Sequence, residues 1–152
     1  MNESRDPVDI RNWQRRSDRI TTSGKLKPDD PARLAAIGVK HVINLALDDH
    51  PEALANEAGL LREHGIAYTH IPVPFGEPTR EHVEQMRRTL ARAAGPVHVH
   101  CIMNYRVTAF FYLLDREEGI EEEEARSRMT KVWDPLTSDH PSAGPWRLLI
   151  SQ

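Results

Sequence analysis

An α/β domain with a largely parallel sheet is the fold class that this sequence predicts. Short apolar patterns typical of strands alternate along the chain with longer amphipathic patterns typical of helices. The chain has 152 residues, of which 39% are hydrophobic and 28% charged, so it can bury a core without disulfides or metal ions. Parallel strands joined by helices are the arrangement that this rhythm favours.

Five elements are predicted in the first half of the chain, each bounded by turn residues. They are a short strand over residues 20–23 that ends at Gly24, a helix that opens at Pro28–Pro31 and stops at Gly38, a strand over residues 39–45, an amphipathic helix over residues 52–64 that ends at Gly65, and a strand over residues 68–73.

The same rhythm continues in the second half. Thr79 caps a helix that extends to Ala94, Gly95 stops it, and residues 97–100 form a strand that runs directly into Cys101. An apolar helix is predicted over residues 105–114, and the acidic run 117–124 starts another helix. Residues 134–145 are expected to form a surface loop before a terminal turn over residues 146–150.

Composition excludes several classes of protein. One cysteine rules out an intramolecular disulfide framework and a cysteine-based zinc site, and a net charge of -3 gives no general attraction to nucleic acid. The sequence shows no membrane-spanning run or secretory signal, so the expectation is a cytoplasmic protein without membrane partners. Residues 1–18 are expected to be a polar, solvated arm anchored by Trp13, followed by one domain over residues 19–152.

The strongest candidate site lies where the strand ending at His100 meets the helix after Cys101. Backbone N–H groups and the positive end of the helix dipole converge there, which favours a thiolate and binds an oxyanion. Arg106, in the first helical turn, can hold two oxygens of that anion with its planar guanidinium. Covalent transfer of a phosphoryl or sulfur group needs such a coincidence of nucleophile and anion site, although a small buried cysteine without reactivity is the alternative.

Four motifs in series resemble a known family. They are Thr22-Ser23-Gly24, Val42-Ile43-Asn44-Leu45, His70-Ile71-Pro72-Val73-Pro74 and Pro96-Val97-His98-Val99-His100-Cys101. Together they are similar to small bacterial proteins of the tyrosine and dual-specificity cysteine phosphatase type, some of them fused to β-lactamase-fold hydrolases. The resemblance implies a three-layer domain with a mostly parallel central sheet of about four or five strands flanked by helices.

The resemblance also implies a function and a set of roles. The protein is expected to hydrolyse a phosphomonoester, such as phosphotyrosine in a protein or a small phosphoester, through a phosphocysteine intermediate. Cys101 is then the nucleophile, Arg106 the phosphate clamp, and His100 the residue that orients the loop and supports the thiolate.

The loop between Cys101 and Arg106 is one residue shorter than the phosphatase pattern. It holds four residues, all expected to bind the substrate phosphate: Ile102, Met103, Asn104 and Tyr105. The usual loop glycine is missing, so Asn104 is expected to adopt the left-handed backbone in its place. Thr108 falls where the family has a hydroxyl residue that helps the thiolate leave, and it completes the predicted substrate-binding set.

Two other functions stay open. A loop of four residues is the length seen in rhodanese-type sulfurtransferases, in which the cysteine carries a persulfide, so sulfur transfer through Cys101 is one alternative. The other is a non-catalytic module that binds phosphate or sulfate without turnover.

A phosphatase also needs an acid that protonates the leaving oxygen. Glu77 is the only carboxylate in the segment after the strand ending at Val73, so it is the predicted general acid, with Asp48 and Asp49 as alternatives. The eight histidines lack metal-ligand spacing, so neither a metal nor another cofactor is predicted. The oligomeric state stays open.

Overall fold

The computed structural model describes residues 5–152, and its centre is a five-stranded sheet. The strands are β1 (Gln14–Arg15), β2 (Ile20–Ser23), β3 (His41–Asn44), β4 (Ala67–His70) and β5 (Val97–His100). Their order in the sheet is β1-β2-β5-β3-β4, and only β1 runs antiparallel to its neighbour. The predicted fold class is therefore confirmed, with the carboxyl ends of four parallel strands meeting at one edge.

Helices cover both faces of this sheet. They are α1 (Asp30–Ala36), α2 (Glu57–Arg62), α3 (Arg80–Arg92), α4 (Tyr105–Glu117), α5 (Glu122–Thr130) and α6 (Ala143–Ile150). The helix cap predicted at Thr79 is present, since its side chain accepts the backbone N–H of His82, and the His82 side chain completes a capping box. No helix among residues 5–152 combines the length and the apolar character needed to cross a membrane.

Three predicted elements differ from the structure, one of them the strand expected over residues 68–73, which ends at His70. The helix expected over residues 52–64 begins only at Glu57, because Asn56 has a left-handed backbone (φ 57°) that no regular helix contains. The terminal turn is instead the helix α6, which buries Trp146 and Leu149 against the core and so gains a stable apolar face.

The N-terminal segment also corrects an expectation. Within the described part of residues 1–18, which begins at Arg5, the chain is not a solvated arm: β1 extends the sheet and Ile10 is buried. Trp13 does act as an anchor, because its ring stacks on that of His98 at 5.2 Å between centroids. This segment packs beneath the loop that follows Cys101 and contributes directly to its shape.

The two faces of the sheet differ in chemistry. On one face Ile43, Val97 and Val99 pack against α3, α4, α5 and α6 in a mainly apolar core, in which Thr22 is a buried polar side chain. On the other face, towards α1 and α2, the sheet presents Val42 together with buried polar side chains: Thr21, Ser23, Asn44, His98 and His100. Cys101 comes directly after β5, in which valine and histidine side chains alternate between the two faces.

Candidate active site

Cys101 lies in the turn between β5 and α4, and none of its surface is exposed. The turn is tight because Asn104 adopts the left-handed backbone (φ 70°) immediately before the helix begins. This conformation confirms the prediction for Asn104. Its side-chain amide also holds the turn from below, donating hydrogen bonds to the carbonyl of Asn12 at 2.8 Å and the hydroxyl of Thr22 at 3.1 Å.

Three successive carbonyl groups of the loop have partners outside it. The carbonyl of Cys101 lies 3.3 Å from Nδ1 of His100, that of Ile102 accepts the backbone N–H of Lys25 at 2.9 Å, and that of Met103 accepts the Asn12 side-chain amide at 2.9 Å. Each of these donors belongs to a segment packed beneath or beside the loop. The loop is therefore anchored through its oxygens.

This anchoring fixes the direction of the N–H groups. In a planar trans peptide the N–H points opposite to the C=O, so the amides of Ile102, Met103 and Asn104 point away from the anchoring segments. Within residues 5–152 these three amides have no hydrogen-bond acceptor in the protein. Together with the first N–H groups of α4 they form a concave set of donors suited to an anion.

A cavity of about 330 Å³ opens over this loop. It is lined by residues 101–103 together with Tyr105 and Arg106 from the loop and the start of α4, and by Leu47, His50, Phe75 and His140 from other segments. Arg106 is 7% exposed and donates from one guanidinium nitrogen to the carbonyl of Val73 at 2.9 Å. The shorter loop therefore brings Arg106 to the same cavity as Cys101.

Aromatic rings build one wall of the cavity. Phe75 lies under the Arg106 guanidinium, 5.5 Å from its ring centroid, and contacts the imidazole of His140 edge-on at 5.0 Å. Tyr105 stacks on Trp133 at 4.9 Å, and Nε1 of Trp146 donates to the carbonyl of Phe75 at 2.6 Å. These contacts hold the segments after β4 and after α5 in place around the loop.

His50 and His140 are cavity residues that the sequence analysis missed. In each ring Nδ1 accepts a backbone N–H two residues further along, from Glu52 at 2.9 Å and from Ser142 at 3.0 Å. Each ring therefore carries its proton on Nε2, which remains a hydrogen-bond donor. Both histidines lie far from Cys101 in sequence, so no local motif could have marked them.

Beneath the loop, His98 is enclosed by polar partners. Its Nδ1 and Nε2 each lie 2.8 Å from a hydroxyl, that of Thr21 and that of Ser23. Complete burial, together with the neighbouring charge of His100, lowers the pKa of His98 well below its ordinary value. His98 is therefore a neutral structural residue.

A second polar group surrounds His100. Its Nε2 lies 2.5 Å from Oε2 of Glu57. Both residues are buried, with His100 3% and Glu57 6% exposed. The amide of Asn44 donates to Oε1 of Glu57 at 3.3 Å and to the hydroxyl of Tyr68 at 3.1 Å. Burial and the Glu57 charge raise the pKa of Tyr68 to about 12.

The remaining predicted residues lie elsewhere. Thr108 is buried but turns its hydroxyl to the carbonyl of Tyr105 at 3.2 Å, because a helical threonine readily bonds to the preceding turn, and it does not line the cavity. Glu77 is exposed on the turn before α3 and also lies outside the lining, as do Asp48 and Asp49. Among the described residues no carboxylate lines this cavity.

Metal-binding chemistry finds no support in the part of the chain that the structure describes. Over residues 5–152 no three side chains of His, Cys, Asp or Glu come together in a way that could hold a metal ion. The residues around Cys101 instead offer backbone amides and a guanidinium, which are ligands for an anion.

Solved structures with a similar fold include phosphatases. A candidate phosphatase (DUF442) of Shewanella putrefaciens CN-32 is 28% identical, with a TM-score of 0.79 over 95% of this chain and 91% of the other. Pseudomonas aeruginosa TpbA, solved in complex with phosphotyrosine, is 19% identical, with a TM-score of 0.68 over 93% and 91% of the two chains. The second comparison supports the fold alone.

Sequence comparison gives a more specific result. A β-lactamase hydrolase-like protein of Xylella fastidiosa (strain Temecula1) is 28% identical over 106 residues, which are 68% of this chain and 25% of that protein. The chain thus spans about a quarter of the length of this relative. The family described as the phosphatase-like domain of β-lactamase hydrolase-like protein matches residues 13–115, from Trp13 to Asp115 in the last turn of α4. That match covers most of the sheet and the whole cysteine loop, and the chain belongs to this phosphatase-like family.

Proposed function

We propose that this member of a phosphatase-like family is a cysteine-dependent phosphatase that hydrolyses aryl phosphomonoesters through a phosphocysteine at Cys101. One observation carries the proposal. Cys101 and Arg106 line one cavity together with Ile102 and Met103, whose backbone amides have no acceptor among the described residues, so nucleophile and phosphate site coincide.

The chemistry proceeds in two displacements. The Cys101 thiolate attacks phosphorus, the S–P bond forms, and the P–O bond to the leaving group breaks with its electron pair remaining on that oxygen. Water then attacks phosphorus, the S–P bond breaks, and the thiolate returns as inorganic phosphate leaves. The loop amides and Arg106 stabilise the phosphoryl oxygens through both steps.

The cavity favours an aryl over an alkyl leaving group. Phe75 and Tyr105 offer an apolar wall for a ring, and the described lining contains no carboxylate that could donate a proton to a strongly basic alkoxide. Phenolate oxygens leave with less need of such a proton. Hydrogen-bond donors near the leaving group are Nε2 of His50 and of His140, and Glu77 is the carboxylate to test beside them.

A paired assay on wild type, Cys101→Ser and Arg106→Lys tests the proposal. Aryl phosphate hydrolysis should disappear in Cys101→Ser and fall strongly in Arg106→Lys, because an ammonium cannot reproduce the bidentate fork. Sulfur transfer from thiosulfate to cyanide that depends on Cys101, without hydrolysis, would establish the sulfurtransferase instead. Vanadate binding without any turnover would establish a binding module.

A leaving-group series tests the substrate class. Wild type should hydrolyse phenyl and nitrophenyl phosphate far faster than glycerol phosphate, and His140→Gln should slow phenyl more than nitrophenyl phosphate because only the more basic leaving oxygen benefits from a donor. Glu77→Gln is the matched carboxylate variant. A loss confined to Glu77→Gln would return the proton donor to that residue, and equal rates on aryl and alkyl esters would contradict the aryl preference.

A further inference from the structure

The buried carboxylate of Glu57 has no part in the two displacements, yet it lies next to the residue that precedes the nucleophile. Glu57 begins α2, and its Oε2 is 2.5 Å from Nε2 of His100. Burying a carboxylate is costly unless it is paired and hydrogen-bonded. Here Oε2 meets an imidazole and Oε1 accepts from the Asn44 amide, so the site is built around the charge.

The other side of the same imidazole faces the nucleophile's own peptide. Nδ1 of His100 lies 3.3 Å from the carbonyl oxygen of Cys101. Both ring nitrogens therefore face oxygen atoms, so the imidazole is held from two opposite sides. The Glu57 carboxylate fixes the ring from the Nε2 side, and this sets the direction in which Nδ1 points.

We infer that Glu57 is a positioning residue that acts through His100 to fix the orientation of the Cys101–Ile102 peptide, and with it the first amide of the phosphate cradle. The Cys101 carbonyl points to His100, so the N–H of Ile102 points to the opposite side. Without the carboxylate the ring is no longer held from its Nε2 side, the contact between Nδ1 and the Cys101 carbonyl loosens, and this amide no longer has a fixed direction. The inference rests on the anion site of the proposed function but needs no turnover.

The experiment is a double-mutant cycle with inorganic vanadate as the probe. Glu57→Gln keeps the shape of the side chain and removes its charge, and His100→Asn removes the ring. Loss of one oriented donor should weaken vanadate binding about tenfold in Glu57→Gln, measured by calorimetry on folded protein. Because Glu57 acts through His100, the double variant should bind no more weakly than His100→Asn alone.

Tyr68→Phe is the matched control. It removes a hydroxyl from the same buried network, bonded to Asn44 and not to His100, so it should lower the unfolding free energy without changing vanadate affinity. In steady-state hydrolysis of an aryl phosphate, Glu57→Gln should raise KM and lower kcat, because the amide contacts the phosphoryl oxygens in both ground and transition states.

Two results would overturn the inference: vanadate binding in Glu57→Gln equal to that of wild type, or losses that add in the double variant. Absence of vanadate binding by wild type would overturn it as well. Glu57-dependent vanadate binding without Cys101-dependent hydrolysis would instead support the inference and contradict only the proposed function. The two claims can therefore fail separately.

Discussion

The two faces of the central sheet have different roles, and β5 contributes side chains to both. Along β5, Val97 and Val99 enter an apolar core, whereas His98 and His100 enter a layer of hydroxyls, an amide and a carboxylate. Apolar packing is non-directional. The apolar face therefore stabilises the packing of the helices on the sheet. Hydrogen bonds are directional, so the polar face sets the orientation of the loop after Cys101.

This difference indicates that the apolar face mainly determines stability and that the polar face mainly determines the geometry of the site. An apolar side chain removed from the first face leaves a cavity but no unsatisfied group, and the cysteine loop keeps all of its hydrogen bonds. A side chain removed from the polar face leaves a partner without a hydrogen bond beside the loop. The two faces should therefore respond differently to substitution.

The largest effect is expected on the apolar face. Phe110 is completely buried in α4 and packs against Trp146 at 5.5 Å between ring centroids. Phe110→Ala should lower the unfolding free energy by about 3–5 kcal/mol, measured by urea denaturation. Vanadate affinity of the folded fraction should be unchanged, and a large loss of affinity at equal folding would break the division between the faces.

On the polar face, His98→Leu should cost about 1–3 kcal/mol of unfolding free energy, since the hydroxyls of Thr21 and Ser23 lose their common partner. Leucine is close in size, so packing alone predicts little change. A stability equal to wild type in urea denaturation would show that the layer gains nothing from its hydrogen bonds.

The pH dependence of stability provides a second test of the buried His98. Because the pKa of folded His98 lies well below its ordinary 6.5, the unfolded chain binds a proton that the folded chain does not. The buried neutral His98 therefore does not lower the unfolding free energy above about pH 6.5. The unfolding free energy falls as the pH drops below that value. The decline should be shallower in His98→Leu, with a residual slope from His41 and His82, whose pKa values burial also lowers.

A His98→Leu variant whose stability falls with acid as steeply as that of wild type would contradict the neutral, buried state of His98.

A smaller effect is expected at the left-handed turn. Asn104→Gly and Asn104→Val both lose the hydrogen bonds to Asn12 and Thr22, but only valine also meets the steric cost of positive φ. Valine should therefore be less stable than glycine by about 1–2 kcal/mol. Equal melting temperatures for the two variants would show that the turn relaxes.

The smallest effect is expected at the edge of the polar layer. Tyr68→Phe removes the hydroxyl that accepts from Asn44 at 3.1 Å and should cost about 0.5–1.5 kcal/mol in urea denaturation. Asn44 keeps its second donor bond to Glu57, which limits the loss. A larger loss, together with weaker vanadate binding, would extend the loop-orienting network to β4.

Sequence predicted what depends on local pattern. Alternating valine and histidine marked β5, and the position of Cys101 between strand and helix marked the site; the tight turn required a residue such as Asn104 that tolerates left-handed backbone. The loop is one residue shorter than the phosphatase pattern, and the structure places Arg106 in the cavity of Cys101.

What sequence could not predict depends on contacts between distant segments. Glu57 is 43 residues from His100, and the acidic start of a helix is ordinarily explained by the helix dipole alone. Phe75 and His140 meet only because α6 packs against the segment after β4 through Trp146. Charge balance in residues 1–18 suggested solvation, while the buried Ile10 and the amide of Asn12 decide the packing.

The central claim is that Cys101 carries the phosphoryl group during turnover. Rapid acid quench of wild type with nitrophenyl phosphate, followed by peptide mass spectrometry, tests it most directly. The account predicts one added phosphoryl group on the peptide that contains Cys101, and no such adduct in Cys101→Ser. Full hydrolytic activity with an unmodified Cys101 peptide at every quench time would contradict it.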